Sequence, residues 1–201
     1  MWTLALAALV LVAELRAEPR RFALDPGSST LTIHVGRAGL FGFLGHDHVV
    51  EARLSEGLVV ADPDDLAGSF VQVVFEAADL VVTDPEGPEQ DIPEVQAKMQ
   101  GPDVLDVTAY PRIAFTSTRV SGERIEADAW RLEVVGELEL HGVTRRIALP
   151  VAVRLVEHGL AVAGELELKQ SDWGIRPVSI AGVVKVKDEL RIRFEIQGRP
   201  E

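Results

Sequence analysis

From Phe22 onward, apolar and polar residues alternate along most of the chain with a period of two. In an extended strand, this alternation places the apolar side chains on one face and the polar side chains on the other. The segment 190–197 shows the pattern most clearly, with Leu, Ile, Phe and Ile at its even-numbered positions and Arg, Arg, Glu and Gln between them. The pattern predicts that most of the chain forms β-strands with one apolar face.

The same alternation predicts seven further strands. They lie at about residues 30–36, 48–60, 69–81, 112–120, 130–140, 149–155 and 160–168. Short turns at Gly142-Val143-Thr144 and Glu157-His158-Gly159 favour hairpins over helical crossovers, so the sheet should be antiparallel. Periodicity alone leaves open whether these strands form two packed sheets or one closed barrel, although closure would remove exposed strand edges.

One segment breaks the alternation and predicts a short helix. Asp91-Ile92-Pro93-Glu94 combines a helix-capping residue with a proline and a glutamate in the first turn. Val95 and Met99 follow four residues apart, and Gly101-Pro102 ends the run. No repeat or linker divides the remaining sequence, and 201 residues of which 47% are hydrophobic suffice for one core.

The N-terminus has a different character. Leu4 to Ala13 is an apolar run of ten residues, which is too short to span a bilayer. Its length is typical of the apolar region of a secretory signal peptide, and Ala17 is a small residue suited to the position before cleavage. We therefore expect residues 1–17 to be a signal peptide and 18–201 to be the mature domain of a periplasmic or secreted protein. A buried N-terminal helix or an uncleaved anchor is the alternative.

Charge and cysteine content narrow the functional classes. The chain holds 20 Lys and Arg against 32 Asp and Glu, and the resulting net charge of -12 would repel the phosphates of nucleic acids. Nucleic acid is therefore not expected as a partner. Because the chain has no cysteine, disulfides, thiolate metal sites and cysteine nucleophiles are excluded. The sequence also has no Gly-x-Ser-x-Gly elbow, glycine-rich phosphate loop or HExxH pair, so we expect neither an enzyme nor a bound cofactor.

Four stretches, in order and spacing, resemble the YceI-like family of lipocalin-like, polyisoprenoid-binding proteins of the bacterial cell envelope. They are Phe22-Ala23-Leu24-Asp25-Pro26, the run from Gly101 to Thr118, the run from Gly136 to Thr144, and Ser171-Asp172-Trp173-Gly174-Ile175. The resemblance implies an eight-stranded antiparallel barrel with a short helical insertion and a long apolar tunnel. It also implies binding of an isoprenoid or other amphiphilic lipid and no known catalytic residues.

The residues themselves also favour an apolar ligand. An eight-stranded barrel can hold one small ligand if its inward side chains leave room. Small residues recur along the strands, and we expect some of them to point inward. They are Ala148, Ala152, Ala161, Ala163, Gly164, Ala181 and Gly182. Of these, Ala152 and Ala163 are the first candidates. A barrel filled by its own Leu and Phe side chains is the alternative.

We therefore predict a protein that binds, stores or carries a polyisoprenoid, a quinone-like molecule or another long-chain amphiphile. The candidate ligand-binding residues are Phe41, Phe43, His46, His48, Met99, Leu105, Tyr110, Phe115, His141 and Trp173. Among these, His46, His48 and Tyr110 would hold the polar head. Because His46 and His48 are two residues apart, they would point the same way in a strand, so a histidine-dependent metal or redox site on the same barrel is the alternative. A homodimer is compatible with the sequence.

Overall fold

The computed structural model describes residues 18–38, 47–85, 87–180 and 184–201. Within these ranges the chain forms twelve strands and one α-helix. The strands are β1 Arg20–Leu24, β2 Thr30–Ala38, β3 His48–Glu51, β4 Glu56–Ala61, β5 Phe70–Glu76, β6 Val81–Val82, β7 Arg112–Glu126, β8 Ala129–Leu140, β9 Val143–Val156, β10 Gly159–Lys169, β11 Ser179–Ile180 and β12 Val184–Pro200. Short 3-10 turns lie at Leu66–Gly68, Ala77–Asp79, Glu89–Asp91 and Gln170–Trp173.

The strands form a closed antiparallel barrel. β1 and β2 follow one another along the same edge of β12, so together they act as one interrupted strand. β3 with β4 and β5 with β6 are interrupted in the same way. The two-residue strand β11 pairs with the start of β12 and lies off the main strand order. With β11 set aside and each interrupted pair counted once, eight strands close the barrel, because β1 pairs with β4 on one side and with β12 on the other. The predicted eight-stranded antiparallel barrel with one short helix is confirmed.

The predicted strand at 48–60 is divided in the structure. β3 pairs with β2, and β4 pairs with β1, while residues 52–55 between them leave the regular ladder. Ala52 and Leu54 nevertheless remain buried and continue the inward phase of the alternation. Beyond the interruption the phase changes, because the inward residues are even-numbered up to Leu54 and odd-numbered at Val59 and Ala61.

The two ends of the barrel differ. The hairpin end carries the turns at 127–128 and 157–158 and the loop 62–69. The helix end carries helix α1 (Ile92–Gln100), the 3-10 turn Gln170–Trp173 and the two-residue turn between β8 and β9. In that turn His141 and Gly142 have φ values of 50° and 71°. Positive φ at both positions matches the right-handed twist of the flanking strands, which explains the tight hairpin.

Helix α1 is where the sequence predicted it, with Pro93 in its first turn, although the Asp91 side chain makes no capping hydrogen bond. Gln96 fixes the helix to the sheet: its Oε1 accepts from the Val82 N–H at 2.8 Å and its Nε2 donates to the Leu80 carbonyl at 2.8 Å. Ile92 and Met99 pack against the barrel core. No helix in the described ranges has the length and apolar character needed to cross a bilayer.

The small strand residues do not have the orientation that we expected. Ala148, Ala152 and Ala163 are exposed, and Ala163 pairs with Ala152 on the outer face of the sheet. Each alternates with larger aliphatic residues that point inward, so the prediction that these alanines leave room in the barrel is wrong. Gly164 does face inward, where the Phe194 ring occupies the space that a side chain would need. Ala161 lies between the inward residues Leu160 and Val162, so the alternation places it on the outer face. Ala181 and Gly182 lie outside the described residues.

Candidate functional site

A cavity of about 320 Å³ lies inside the barrel. This volume falls at the lower end of the range of small-molecule sites in proteins. The inward side chains of β1 to β5, β7 to β10 and β12 line it, and nearly all are aliphatic or aromatic. Among the described lining residues, the side chains with a charge, hydroxyl or amide are Arg20, Asp62, Ser69 and Gln170. Such a lining can solvate a hydrocarbon chain but offers little to a polar solute.

The cavity extends along the barrel between its two ends. Its lining includes Leu66 and Ser69 at the hairpin end and Gln170 at the helix end. Inward residues in both halves, such as Val162 and Leu166, are half-buried. Because these side chains point into the barrel, their remaining exposed surface faces the cavity. A ligand would therefore contact the wall in both halves of the barrel.

The polar groups at the hairpin end serve local structure. Asp62 Oδ1 accepts from the backbone N–H groups of Asp64 and Asp65 at 3.1 and 2.9 Å, and Ser69 Oγ accepts from the Asp62 N–H at 3.0 Å. These bonds hold the loop 62–69 in its turn. The Arg20 guanidinium lies 5.1 Å from the centroid of the Phe22 ring, which it covers on the solvent side. This end of the barrel is thus closed by side chains with structural partners.

Among the described residues, Gln170 is the polar lining residue of the helix end, and we did not predict it from the sequence. Its side chain is 6% exposed, and its Nε2 donates to the Lys187 carbonyl at 2.8 Å. The signal was present, because Leu166, Leu168 and Gln170 share one phase of the alternation. An amide at an inward position of an apolar barrel is the feature that could have identified it.

Asp188 fastens the turn that follows Gln170 to β12. Its carboxylate accepts from the Ser171 hydroxyl at 2.6 Å and from the Ser171 backbone N–H at 2.8 Å. The hydroxyl hydrogen bond, followed by the backbone one, holds the pKa of Asp188 below its usual value. Gln170 is thereby attached to β12 through its own amide and through its neighbour.

Three of the predicted ligand-binding residues line the cavity. Met99 comes from helix α1, Leu105 from the loop that follows it, and Phe115 from β7. Leu105 and Phe115 are buried, and the Phe115 ring lies over Gly136 of the neighbouring strand, where any side chain would collide with it. Contact of these three residues with a ligand stays a prediction. Phe41, Phe43 and His46 lie outside the described residues.

His48 does not line the cavity. Its Nδ1 lies 2.7 Å from Oδ2 of Asp84, whose carboxylate is almost completely buried. The other oxygen of Asp84 accepts from the Val49 N–H at 2.7 Å. This pair ties β3 to the segment after β6, which is a structural reason for a histidine at this position. In the described ranges, no three His, Asp or Glu side chains come together in a way that could hold a metal ion.

Tyr110, His141 and Trp173 form one cluster at the helix end, outside the lining of the cavity. The Tyr110 and His141 rings meet edge to face with centroids 4.6 Å apart. His141 Nδ1 lies 3.3 Å from the Trp173 carbonyl oxygen, and Trp173 Nε1 donates to the Leu138 carbonyl at 3.3 Å. Since Trp173 is 2% exposed, the cluster packs the 3-10 turn against the β8–β9 hairpin and closes the barrel there. A direct ligand contact of these residues stays a prediction.

Comparisons with known proteins agree with this architecture. The profile of the YceI-like domain matches residues 22–198. Among solved structures, BcnA of Burkholderia cenocepacia is 18% identical with a TM-score of 0.67, and the match covers 87% of this chain and 98% of that one. A polyisoprenoid-binding domain from Saccharophagus degradans, implicated in plant cell wall breakdown, is 16% identical with a TM-score of 0.65 and coverage of 90% and 98%. The Campylobacter jejuni YceI protein is 18% identical with a TM-score of 0.52 and coverage of 75% and 84%. No curated protein matches the chain.

Proposed function

Because this chain belongs to the YceI-like domain family, we propose that it binds a polyisoprenoid, a quinone-like molecule or another long-chain amphiphile inside its barrel. The profile match confirms the resemblance that four stretches of the sequence indicated. The observation that carries the proposal is the cavity of about 320 Å³ with its nearly all-apolar lining. The Saccharophagus degradans structure, which is described as a polyisoprenoid-binding domain, supports the chemical class of the ligand.

Burial of the hydrocarbon chain would supply the driving force. Each CH₂ group moved from water into an apolar site contributes roughly 0.8 kcal/mol. A few isoprene units thus provide a large gross gain, which must exceed the loss of translational freedom and of freedom in the flexible chain. The apolar wall at Leu138, Leu166 and Leu190 supplies the surface for this burial. Affinity for the chain needs no charged contact.

We propose a binding protein and not an enzyme. Among the described lining residues, the ionisable side chains are Arg20 and Asp62, and Asp62 already accepts two backbone hydrogen bonds. An acid–base or nucleophilic mechanism would require an activated group within reach of the bound molecule. The proposal therefore assigns the barrel a carrying or storing role.

The binding proposal predicts a saturable site for a neutral apolar dye. N-phenyl-1-naphthylamine added to the protein should show enhanced emission that saturates at one dye per chain, with energy transfer from Trp130 in the cavity wall. Farnesol, a neutral isoprenoid alcohol, should displace the dye. Emission that rises without saturation, or that farnesol leaves unchanged, would contradict binding in the barrel.

We also propose that the protein acts outside the cytoplasm, on the basis of the apolar run from Leu4 to Ala13 and the small Ala17. The mature chain isolated from cell envelopes should begin at Glu18 or within a few residues of it. N-terminal sequencing of the full-length gene product, expressed with its own leader, measures this directly. An intact Met1 on protein recovered from the cytoplasmic fraction would refute export.

A further inference from the structure

We propose that Gln170 is the polar anchor of the cavity and that it selects ligands with a neutral hydrogen-bond donor at the head, such as an alcohol or phenol, over anionic ones. This inference rests on the proposed function, because it concerns the same barrel. It assigns the head of the ligand to the helix end, beside β10 and the 3-10 turn Gln170–Trp173. The juxtaposition that carries it is a buried amide at the edge of an apolar cavity.

The hydrogen bond to Lys187 fixes the orientation of the Gln170 amide. A backbone carbonyl can only accept, so the group 2.8 Å from the Lys187 oxygen must be the Nε2 donor. The oxygen Oε1 therefore occupies the other arm of the amide. Among the residues that the structure describes, none donates a hydrogen bond to this oxygen. Because Gln170 lines the cavity and is 6% exposed, Oε1 is a buried acceptor available to a ligand.

Gln96 shows how the same side chain is satisfied where it has only a structural role. There the oxygen accepts from the Val82 N–H and the nitrogen donates to the Leu80 carbonyl, both at 2.8 Å. Gln170 uses only its donor. A buried acceptor without a partner destabilises the protein, and a ligand that donates to it recovers that free energy on binding. The amide thus favours a donor at this point of the cavity.

The surroundings of Gln170 argue against an anionic head. The neighbouring lining residues are apolar, including Leu168, Ile175 and Leu190. The cationic lining residue among those described is Arg20, which lies at the opposite, hairpin end. A carboxylate or phosphate beside Gln170 would lose its hydration without gaining a counter-ion, and its oxygens would face the amide oxygen. A hydroxyl requires only one hydrogen bond and fits this site.

Three farnesyl compounds test the selection by competition against N-phenyl-1-naphthylamine. They are farnesol, its methyl ether, and farnesoic acid at mildly alkaline pH, where its carboxyl is ionised. The ether keeps the chain and the oxygen but cannot donate, so the wild-type protein should bind farnesol about 3- to 10-fold more tightly than the ether. Farnesoate should bind more weakly than both. The ratio of the affinities of two competitors does not depend on the affinity of the dye.

Gln170→Leu removes the acceptor while keeping an inward side chain of similar size. In this variant the affinity for farnesol should fall to that for the ether, and the affinity for the ether should equal that of the wild-type protein. Gln100→Leu is the matched control, because Gln100 Nε2 also donates to a backbone carbonyl, that of Ala78 at 2.8 Å, away from the cavity lining. It should keep the preference for farnesol. Gln170→Met provides a second variant if the leucine substitution impairs folding.

The outcomes separate the two proposals. Equal wild-type affinities for farnesol and its ether, or a preference for farnesol that survives in Gln170→Leu, overturn the role of Gln170 while leaving the apolar site intact. Tighter binding of farnesoate than of farnesol overturns the preference for a neutral head. If the wild-type protein binds none of the three compounds, the proposed function itself is refuted.

Discussion

Val162→Phe should weaken the binding of N-phenyl-1-naphthylamine by about tenfold or more, which corresponds to a loss of about 1.4 kcal/mol in binding free energy. Val162 lies on β10, is half-buried and lines the cavity. The added ring would occupy part of the roughly 320 Å³ that a ligand requires. Dye titration of the purified variant measures the effect.

Ala163→Phe is the matched control. Ala163 is the next residue on the same strand, but it is exposed and points away from the barrel. The same aromatic ring on the outer face should leave the dye affinity unchanged. Equal weakening in both variants would place the dye on the outer surface and would contradict a site in the barrel.

The stability of Val162→Phe distinguishes a void from a packed core. A ring forced into a filled interior destabilises a protein by typically 1 to 3 kcal/mol. If the ring enters free volume, the loss in urea unfolding free energy should stay below about 1 kcal/mol. Strong destabilisation combined with an unchanged dye affinity would mean that the barrel is filled by its own side chains.

The alternation of apolar and polar residues predicted most of the barrel strands, because each strand has one face toward the core and the other toward water. The predicted strand at 190–197 lies inside β12, and its even-numbered residues point inward as expected. We did not predict the break at 52–55, where the strand changes partners and the inward phase moves from the even-numbered Leu54 to the odd-numbered Val59. Hydrophobic periodicity reports which way a side chain points and not which backbone groups are paired.

The interior surface was harder to predict than the strands. Ala163 belongs to the phase of Glu165 and Glu167, which a strict reading of the alternation already places outside. Composition suggested that small residues make the room, whereas the structure encloses its cavity with Val, Leu and Ile side chains such as Val162 and Leu166. The width of the closed barrel creates the space, and no local sequence pattern encodes that width.

The candidate site was only partly accessible from the sequence. Met99, Leu105 and Phe115 could be selected as apolar residues in family-like segments, and they line the cavity. The cluster of Tyr110, His141 and Trp173 comes from three distant segments, so nothing in the sequence indicated that these residues contact one another rather than the cavity. Such contacts depend on how the turns at the helix end fold back over the barrel.

The second large expected effect is a lipid bound to the purified protein. Its presence or absence tests most directly whether the barrel binds a long-chain amphiphile. Protein purified without detergent and measured by native mass spectrometry should carry an added mass of a long-chain lipid at near one per chain. Extraction of the same sample into organic solvent should release that lipid, and Val162→Phe should carry much less of it than Ala163→Phe. A native mass equal to that of the polypeptide alone, still unchanged after incubation with excess farnesol, would contradict the account.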